Sequence, residues 1–124
     1  MCTKYISADS AAIESYWQVR PKQAWHSGAM YPRAPGPFIR AVSSCVAPVR
    51  ECVLGQWGLI PFFATAAKLP YLTVNARSEE LSEKPSYREP WARAQRCIVP
   101  AISFDEPSWE TGRNVWWRFT RKDA

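Results

Sequence analysis

Short runs rich in β-branched and aromatic residues, separated by prolines and glycines, dominate the hydrophobic pattern of this chain. They predict strands at residues 2–6, 38–42, 50–59, 71–75, 97–99 and 115–120. The strands at 38–42 and 50–59 should pair as a hairpin through a turn over residues 43–49. The run at 97–99 is predicted to be a buried strand.

A helical period occurs near the N-terminus, where Ile13, Tyr16 and Trp17 fall on one face. This spacing predicts a helix that ends near residue 18. Asp9, or the serine after it, can cap the first turn by accepting a hydrogen bond from a backbone N–H.

Two further helical segments are expected in the second half of the chain. A helix can start at residues 78–81, where glutamates suit the first turns. Residues 86–94 also favour a helix around Trp91, in which Pro90 must sit in the first turn or break it.

Proline and glycine are dense over residues 20–37, which predicts a long loop without regular structure. Long loops in compact domains are often functional. A second irregular loop is predicted over residues 104–114, which contain Pro107 and Gly112.

The composition is that of a folded chain. It has 124 residues, 47% of them hydrophobic and 22% charged, enough for one domain over residues 1–124.

No apolar run approaches the ~18–20 residues of a membrane span, and no signal peptide is visible, so we expect a cytoplasmic protein. The last residues resemble the start of a turn after an edge strand, so we expect the N-terminal part of a larger domain.

The net charge is +5, and the chain carries seven tryptophans and five tyrosines. Eleven of the sixteen basic residues are arginines, which bind phosphate in a planar, bidentate fashion. Basic and aromatic residues together favour single-stranded nucleic acid, where arginines follow phosphates and rings stack on bases. The alternative is a basic protein with a tryptophan-rich core.

Four cysteines are present and none forms a CxxC pair. A cytosolic chain keeps them reduced, and His26 is the single histidine, so no cluster has the spacing of a zinc site. We expect no metal and no cofactor. Three of the cysteines should be core or surface fillers: Cys45, Cys52 and Cys97.

Cys2 differs from these three because removal of Met1 would make it the N-terminal residue. An N-terminal cysteine carries an α-amine of pKa about 7.7–8.0 beside a thiol of pKa about 8.5. An aldehyde can form a Schiff base with the amine, and the thiol can then close a five-membered thiazolidine. The alternative is that cysteine here has no role, because reactivity depends on the surroundings.

Asn75 and Arg77 follow the strand predicted at 71–75. Being two residues apart on an extended backbone, they face the same side. An amide can orient an aldehyde or a sugar hydroxyl, and an arginine can hold the neighbouring phosphate. The alternative is a surface turn with an ion pair.

Two adjacent carboxylates, Asp105 and Glu106, follow the strand predicted at 97–99. If one lies in a cleft beside apolar rings, its pKa rises and it can act as general acid and base near neutral pH. Schiff-base formation needs such a group, because the departing hydroxyl must receive a proton and the amine or thiol must lose one. The alternative is a solvated acidic turn.

Trp57, Phe62 and Phe63 lie close together in the sequence and could form a platform for unstacked bases. For Trp57 a place in the core is the simpler interpretation. For Phe62 and Phe63 both interpretations stay open.

Five sequence marks together resemble the SOS response-associated peptidase family, whose members protect abasic sites by covalent crosslinking. In order they are Met1-Cys2, Trp57-Gly58-Leu59-Ile60-Pro61, Asn75-Ala76-Arg77-Ser78-Glu79, Arg96-Cys97-Ile98-Val99-Pro100-Ala101 and Phe104-Asp105-Glu106. Each is weak alone, but their order and spacing agree with the family across essentially all of the chain.

The resemblance implies an α+β fold around a curved, barrel-like antiparallel β-sheet with short flanking helices, truncated relative to the family domain. It implies a monomeric sensor of abasic sites in single-stranded DNA, with no membrane association. Cys2 would form the thiazolidine crosslink, and self-removal of Met1 would be the peptidase activity. Asn75 would position Cys2 and the sugar, and Glu106 would shuttle protons. The DNA-binding residues would be Lys4, Arg77, Phe62 and Phe63.

The sequence departs from the family at several positions. Lys4 replaces an arginine, Thr3 replaces a glycine, and Asp105 stands where an aromatic residue is common. The family's catalytic histidine belongs to a motif beyond position 124. The alternative function is therefore a catalytically impaired remnant that binds single-stranded DNA. A third hypothesis, a cysteine peptidase acting on other proteins, would need His26 as its base.

Overall fold

The computed structural model describes residues 2–42 and 49–122, and in this part of the chain it contains seven β-strands, two α-helices and one 3-10 turn. They are β1 (Lys4–Ser7), α1 (Ser10–Trp17), β2 (Ala29–Met30), β3 (Pro35–Val42), β4 (Val49–Gln56), the 3-10 turn (Ser78–Glu80), α2 (Pro85–Ala92), β5 (Cys97–Ile98), β6 (Ala101–Ser108) and β7 (Val115–Thr120). Residues 43–48, which contain Cys45 and most of the turn expected over 43–49, lie outside the described residues.

The strands form two antiparallel sheets. One has four strands in the order β2-β1-β6-β7, and the other has three in the order β4-β3-β5. The α+β class and the antiparallel pairing are confirmed. The expected barrel-like closure is not observed: in the described residues each sheet keeps two open edges, whereas a barrel needs every strand paired on both sides.

Helix α1 forms as its sequence predicts. Asp9 is the N-cap, and its Oδ1 accepts a hydrogen bond from the backbone N–H of Ala12 at 2.8 Å. The helix ends at Gln18, which adopts a left-handed conformation with φ of 57°. Ile13 on the inner face is fully buried. It packs in the core cluster, which also contains Ala8, Val19, Ile39 and Cys52.

The predicted hairpin is β3 paired with β4 over eight residue pairs, from Pro35↔Gln56 to Val42↔Val49. The prediction of an irregular loop over 20–37 is wrong in its second half, because β2 forms there and β3 begins at Pro35. β5 pairs with β3 only at Ile39 and Arg40. The first residues of β3 therefore have an open edge, where prolines without an N–H are tolerated.

The prediction of an irregular loop over 104–114 is also wrong, because β6 continues to Ser108 and only the turn at 109–114 separates it from β7. Pro107 does not interrupt β6. The pairing of β1 with β6 stops at Asp105, so Pro107 lies beyond the segment that β1 covers. β7 has the bounds that its sequence predicts.

Three smaller predictions are corrected. Residues 71–75 form no strand and are irregular. β5 is a strand but is not buried, since Ile98 is 48% exposed. Pro90 lies in the second half of α2 and not in its first turn, and the helix continues to Ala92. A proline so near the helix end removes one intrahelical hydrogen bond and ends the helix soon afterwards.

No helix among the described residues has the length and apolar character needed to cross a membrane.

Replacing the α1 cap tests the local origin of this helix. Asp9→Ala leaves the first-turn N–H groups without their side-chain acceptor, and we expect the free energy of unfolding to fall by about 1 kcal/mol. Urea unfolding followed by circular dichroism measures this change. Asp9→Asn keeps an acceptor and should stay within a few tenths of a kcal/mol of the parent. Equal losses in both variants would contradict a capping role.

Candidate functional site

Pairing between β1 and β6 places the N-terminal arm beside the two adjacent carboxylates. Lys4 lies opposite Asp105, and Tyr5 lies opposite Phe104. Tyr5 is 4% exposed and packs edge-on against Trp57, with ring centroids 4.8 Å apart. The arm that carries Cys2 is therefore anchored at its first strand residues.

Cys2 is half-buried, two residues before β1. Its Sγ donates a hydrogen bond to the backbone carbonyl of Lys4 at 3.4 Å. Burial raises the pKa of the Cys2 thiol, and the negative charges of Glu106 and Asp105 add to the increase. The thiol is therefore protonated at neutral pH, and a reaction at sulfur needs a group that accepts its proton.

Asn75 contacts Cys2 directly, although 73 positions separate them in the sequence. Its Nδ2 donates a hydrogen bond to the Cys2 carbonyl oxygen at 2.9 Å. The Tyr87 hydroxyl in α2 donates to the backbone carbonyl of Asn75 at 3.0 Å. The neighbouring Thr73 hydroxyl donates to the Leu59 carbonyl at 2.7 Å. These contacts fix an irregular segment in place, so the amide holds the arm.

Glu106 lies in β6, next to Asp105, and is half-buried. Successive side chains of a strand point to opposite faces, so the two carboxylates are separated. Glu106 lies near enough for its charge to act on the Cys2 thiol. The structure therefore brings together the three residues that sequence analysis assigns to catalysis: Cys2, Asn75 and Glu106.

Asp105 is 7% exposed and lies between two cations from neighbouring strands. Arg118 of β7 donates from Nε to Oδ1 at 2.8 Å and from Nη2 to Oδ2 at 3.1 Å. Lys4 Nζ lies 3.0 Å from Oδ2. Hydrogen bonds from Arg118 and then Lys4 hold the pKa of Asp105 well below its usual range. Asp105 therefore stays ionised and is not the carboxylate for which the sequence allowed a raised pKa.

The residues predicted to bind DNA occupy different positions. Lys4 is 29% exposed and paired with Asp105. Arg77 is exposed and precedes the 3-10 turn, where it lines a cavity of about 290 Å³. Phe62 and Phe63 are 73% and 46% exposed, with their rings edge-to-face at 5.4 Å.

Two residues of the site were missed in sequence analysis. Tyr87 supports Asn75 through a side chain to backbone contact, which leaves no signal in the sequence. Arg118 is one of several arginines near the C-terminus, and only the register of β7 against β6 identifies it as the partner of Asp105.

His26 is exposed between α1 and β2. The described residues contain no group of three or more His, Cys, Asp or Glu side chains that could hold a metal ion.

The ion pairs of Asp105 make stability depend on pH in a defined direction. A depressed pKa in the folded state stabilises the fold above the unfolded-state value of about 3.9, and this contribution is lost as the pH falls through the lower, folded-state pKa. Asp105→Asn should therefore lower stability at pH 7 and flatten its decline below about pH 4. Urea unfolding at pH 7, 4 and 3 measures both effects.

The matched control is Glu14→Gln, which breaks the exposed pair between Glu14 and Arg20. Exposed pairs contribute little, so this variant should keep the parent's pH profile. An Asp105→Asn protein with the parent's acid sensitivity would rule out a stabilising role for the buried pairs.

The sequence model of the SOS response associated peptidase (SRAP) family matches residues 1–124. Abasic site processing protein YoqW of Bacillus subtilis is 55% identical over 51 residues, which are 41% of this chain and 22% of that protein. Abasic site processing protein HMCES of Mus musculus is 37% identical over 54 residues, 41% of this chain and 15% of that protein.

A solved structure is similar over nearly the whole chain. The crystal structure of a protein from Bordetella bronchiseptica is 38% identical and superposes with a TM-score of 0.82. The match covers 98% of this chain and 58% of that one, so the chain spans a little over half the length of this relative. The match of the family model to the full chain, together with this shared fold, shows that the chain belongs to the SOS response associated peptidase family.

Proposed function

We propose that this chain recognises abasic sites in single-stranded DNA and becomes covalently crosslinked to them through Cys2, after Met1 has been removed. The observation that carries the proposal is the 2.9 Å hydrogen bond from Asn75 to the carbonyl of Cys2, whose thiol also experiences the charge of Glu106. Family membership supports it, since relatives such as YoqW and HMCES are named abasic site processing proteins.

The first step is attack by the Cys2 α-amine on the aldehyde of the ring-opened abasic sugar. The amine nitrogen forms a bond to the aldehyde carbon, and the resulting carbinolamine loses water to give an imine. The departing hydroxyl needs a proton, and Glu106, whose charge acts on Cys2, can supply it. The same carboxylate can accept a proton from the amine earlier in the step.

The second step is closure of the ring. The Cys2 sulfur adds to the imine carbon, the electrons of the carbon–nitrogen π bond move to nitrogen, and nitrogen gains the proton that sulfur loses. Because burial keeps the thiol protonated, a base must take this proton before or during attack. Glu106, left as a carboxylate by the first step, can transfer it.

Asn75 acts as a positioning residue in this scheme. Its amide fixes the Cys2 carbonyl, and the amine and the side chain of Cys2 branch from the carbon next to that carbonyl. Restricting this carbon reduces the entropy lost when both nucleophiles meet one aldehyde carbon. Tyr87 contributes indirectly because it holds the backbone of Asn75.

The strand on either side of the abasic site would be bound by the exposed basic and aromatic groups. Arg77 follows Asn75 by two residues and is exposed, so it is suited to a phosphate next to the sugar. Phe62 and Phe63 expose ring surface for unstacked bases. Lys4 contributes positive charge beside Cys2, partly offset by Asp105.

The crosslink is tested by incubating the purified protein with a single-stranded oligonucleotide that contains one abasic site. We expect an adduct whose mass equals protein plus DNA minus one water, and we expect Cys2→Ala to form none. Intact-mass measurement reports the adduct and also whether Met1 is absent. Binding of intact and abasic strands with equal affinity and no adduct would instead support the non-catalytic DNA-binding alternative.

The role of Asn75 is tested by the rate of adduct formation. Asn75→Ala removes a hydrogen bond in a half-buried site, which costs about 1–3 kcal/mol and should slow crosslinking roughly five- to hundredfold. Quenched time points separated on denaturing gels give the rate. Asn114→Ala, in the exposed turn between β6 and β7, is the matched control and should react like the parent. An unchanged rate for Asn75→Ala would remove Asn75 from the mechanism.

A further inference from the structure

A groove of about 760 Å³ runs beside the N-terminal arm. Thr3, the residue after Cys2, lines it. Of the basic and aromatic residues in its wall, only Lys4 has a role assigned from the sequence. The groove residues used in the argument below are Lys4, Tyr31, Asp105, Trp116 and Arg118. A groove of this size is within the range that holds a small organic ligand.

Strand register places four of these residues on one face of the sheet. Lys4, Asp105 and Arg118 lie directly opposite one another across β1, β6 and β7, and form one cross-strand row. Trp116 precedes Arg118 by two residues, so its ring lies on the same face. It stands opposite Pro107, one row beyond the charged groups.

The charges of this row favour an anion. Two cations, Lys4 and Arg118, share the single carboxylate of Asp105, so the row carries a net positive charge. Asp105 binds one edge of the Arg118 guanidinium and holds it in a fixed orientation. The Arg118 side chain is nevertheless 53% exposed, so it can also contact a phosphate.

The aromatic side chains that line the groove are all more than half exposed. Trp116 and Tyr31 are each 55% exposed. Exposed aromatic surface next to paired cations is the combination that binds single-stranded nucleic acid, with rings stacking on bases and cations on phosphates. An apolar peptide would use the rings but would leave the excess positive charge without a partner.

We infer that this groove holds a nucleotide next to the abasic sugar, with its base stacked on Trp116 and its phosphate bound by Arg118 and Lys4. The inference rests on the proposed function for the identity of the strand. It adds a second contact region on the side of Cys2 lined by β6 and β7, with residues distinct from Asn75, Arg77, Phe62 and Phe63.

The test is the affinity for an intact 12-nucleotide oligothymidylate, measured by fluorescence anisotropy across a series of salt concentrations. Trp116→Ala should weaken binding about five- to hundredfold at every salt concentration, because one base loses its stacking partner. Trp116→Phe should recover most of this loss. Trp109→Ala is the matched control, since Trp109 is 64% exposed in the turn before β7 and does not line the groove.

The role of Arg118 is tested by the slope of affinity against salt. Arg118→Gln should reduce the slope by about 0.7, the value for one phosphate contact with a single strand. Arg118→Lys keeps the charge and should restore the slope. Thermal unfolding of each variant checks the fold, because Asp105 loses a partner in Arg118→Gln.

A second ligand separates stacking from charge. An oligomer of tetrahydrofuran units carries the same phosphates and no bases, so Trp116→Ala and the parent should bind it equally. Equal affinity of Trp116→Ala and the parent for oligothymidylate would overturn the groove proposal, as would an equal loss in Trp109→Ala. Failure of the parent to crosslink, with the Trp116 effect intact, would overturn the proposed function and leave the groove assignment standing.

Discussion

The four residues of β1 hold the N-terminal arm against β6, and the position of Cys2 relative to the two carboxylates depends on this pairing. Hydrogen bonding in the ladder fixes Lys4 opposite Asp105, and Tyr5 anchors the arm by packing on Trp57. A chain terminus is normally free to fray. Here only Thr3 lies between Cys2 and Lys4, the first paired residue of β1, so little freedom remains for the thiol.

Asn75 adds a second restraint from a distant and irregular segment. An irregular backbone near a buried site needs partners for its polar groups. The segment finds them in the Tyr87 hydroxyl and in the contacts of Thr73 with Leu59. The segment is therefore defined by side-chain hydrogen bonds in place of a strand ladder, and its amide is left to hold the Cys2 carbonyl.

The two adjacent carboxylates have different tasks because a strand sends neighbouring side chains to opposite faces. Lys4 of β1 and Arg118 of β7 both form ion pairs with Asp105 of β6. One buried carboxylate thus links three strands, and the two cations keep it ionised. A carboxylate fixed in this way is unsuited to proton transfer near neutral pH. Both carboxylates act on the Cys2 thiol, Glu106 more strongly than Asp105, and Glu106 is the residue left for acid and base chemistry.

The sequence by itself determined the locally encoded features: the Asp9 cap of α1, the hairpin of β3 and β4, and the bounds of β7, because caps, turns and β-propensity act over a few residues. It also identified Cys2, Asn75 and Glu106 as one set, through resemblance to a family. Tertiary structure alone decided that β6 runs through Pro107, that β5 is exposed, and that Asp105 pairs with Arg118. These outcomes depend on which strand lies alongside which, and contacts between residues far apart in the chain set that order.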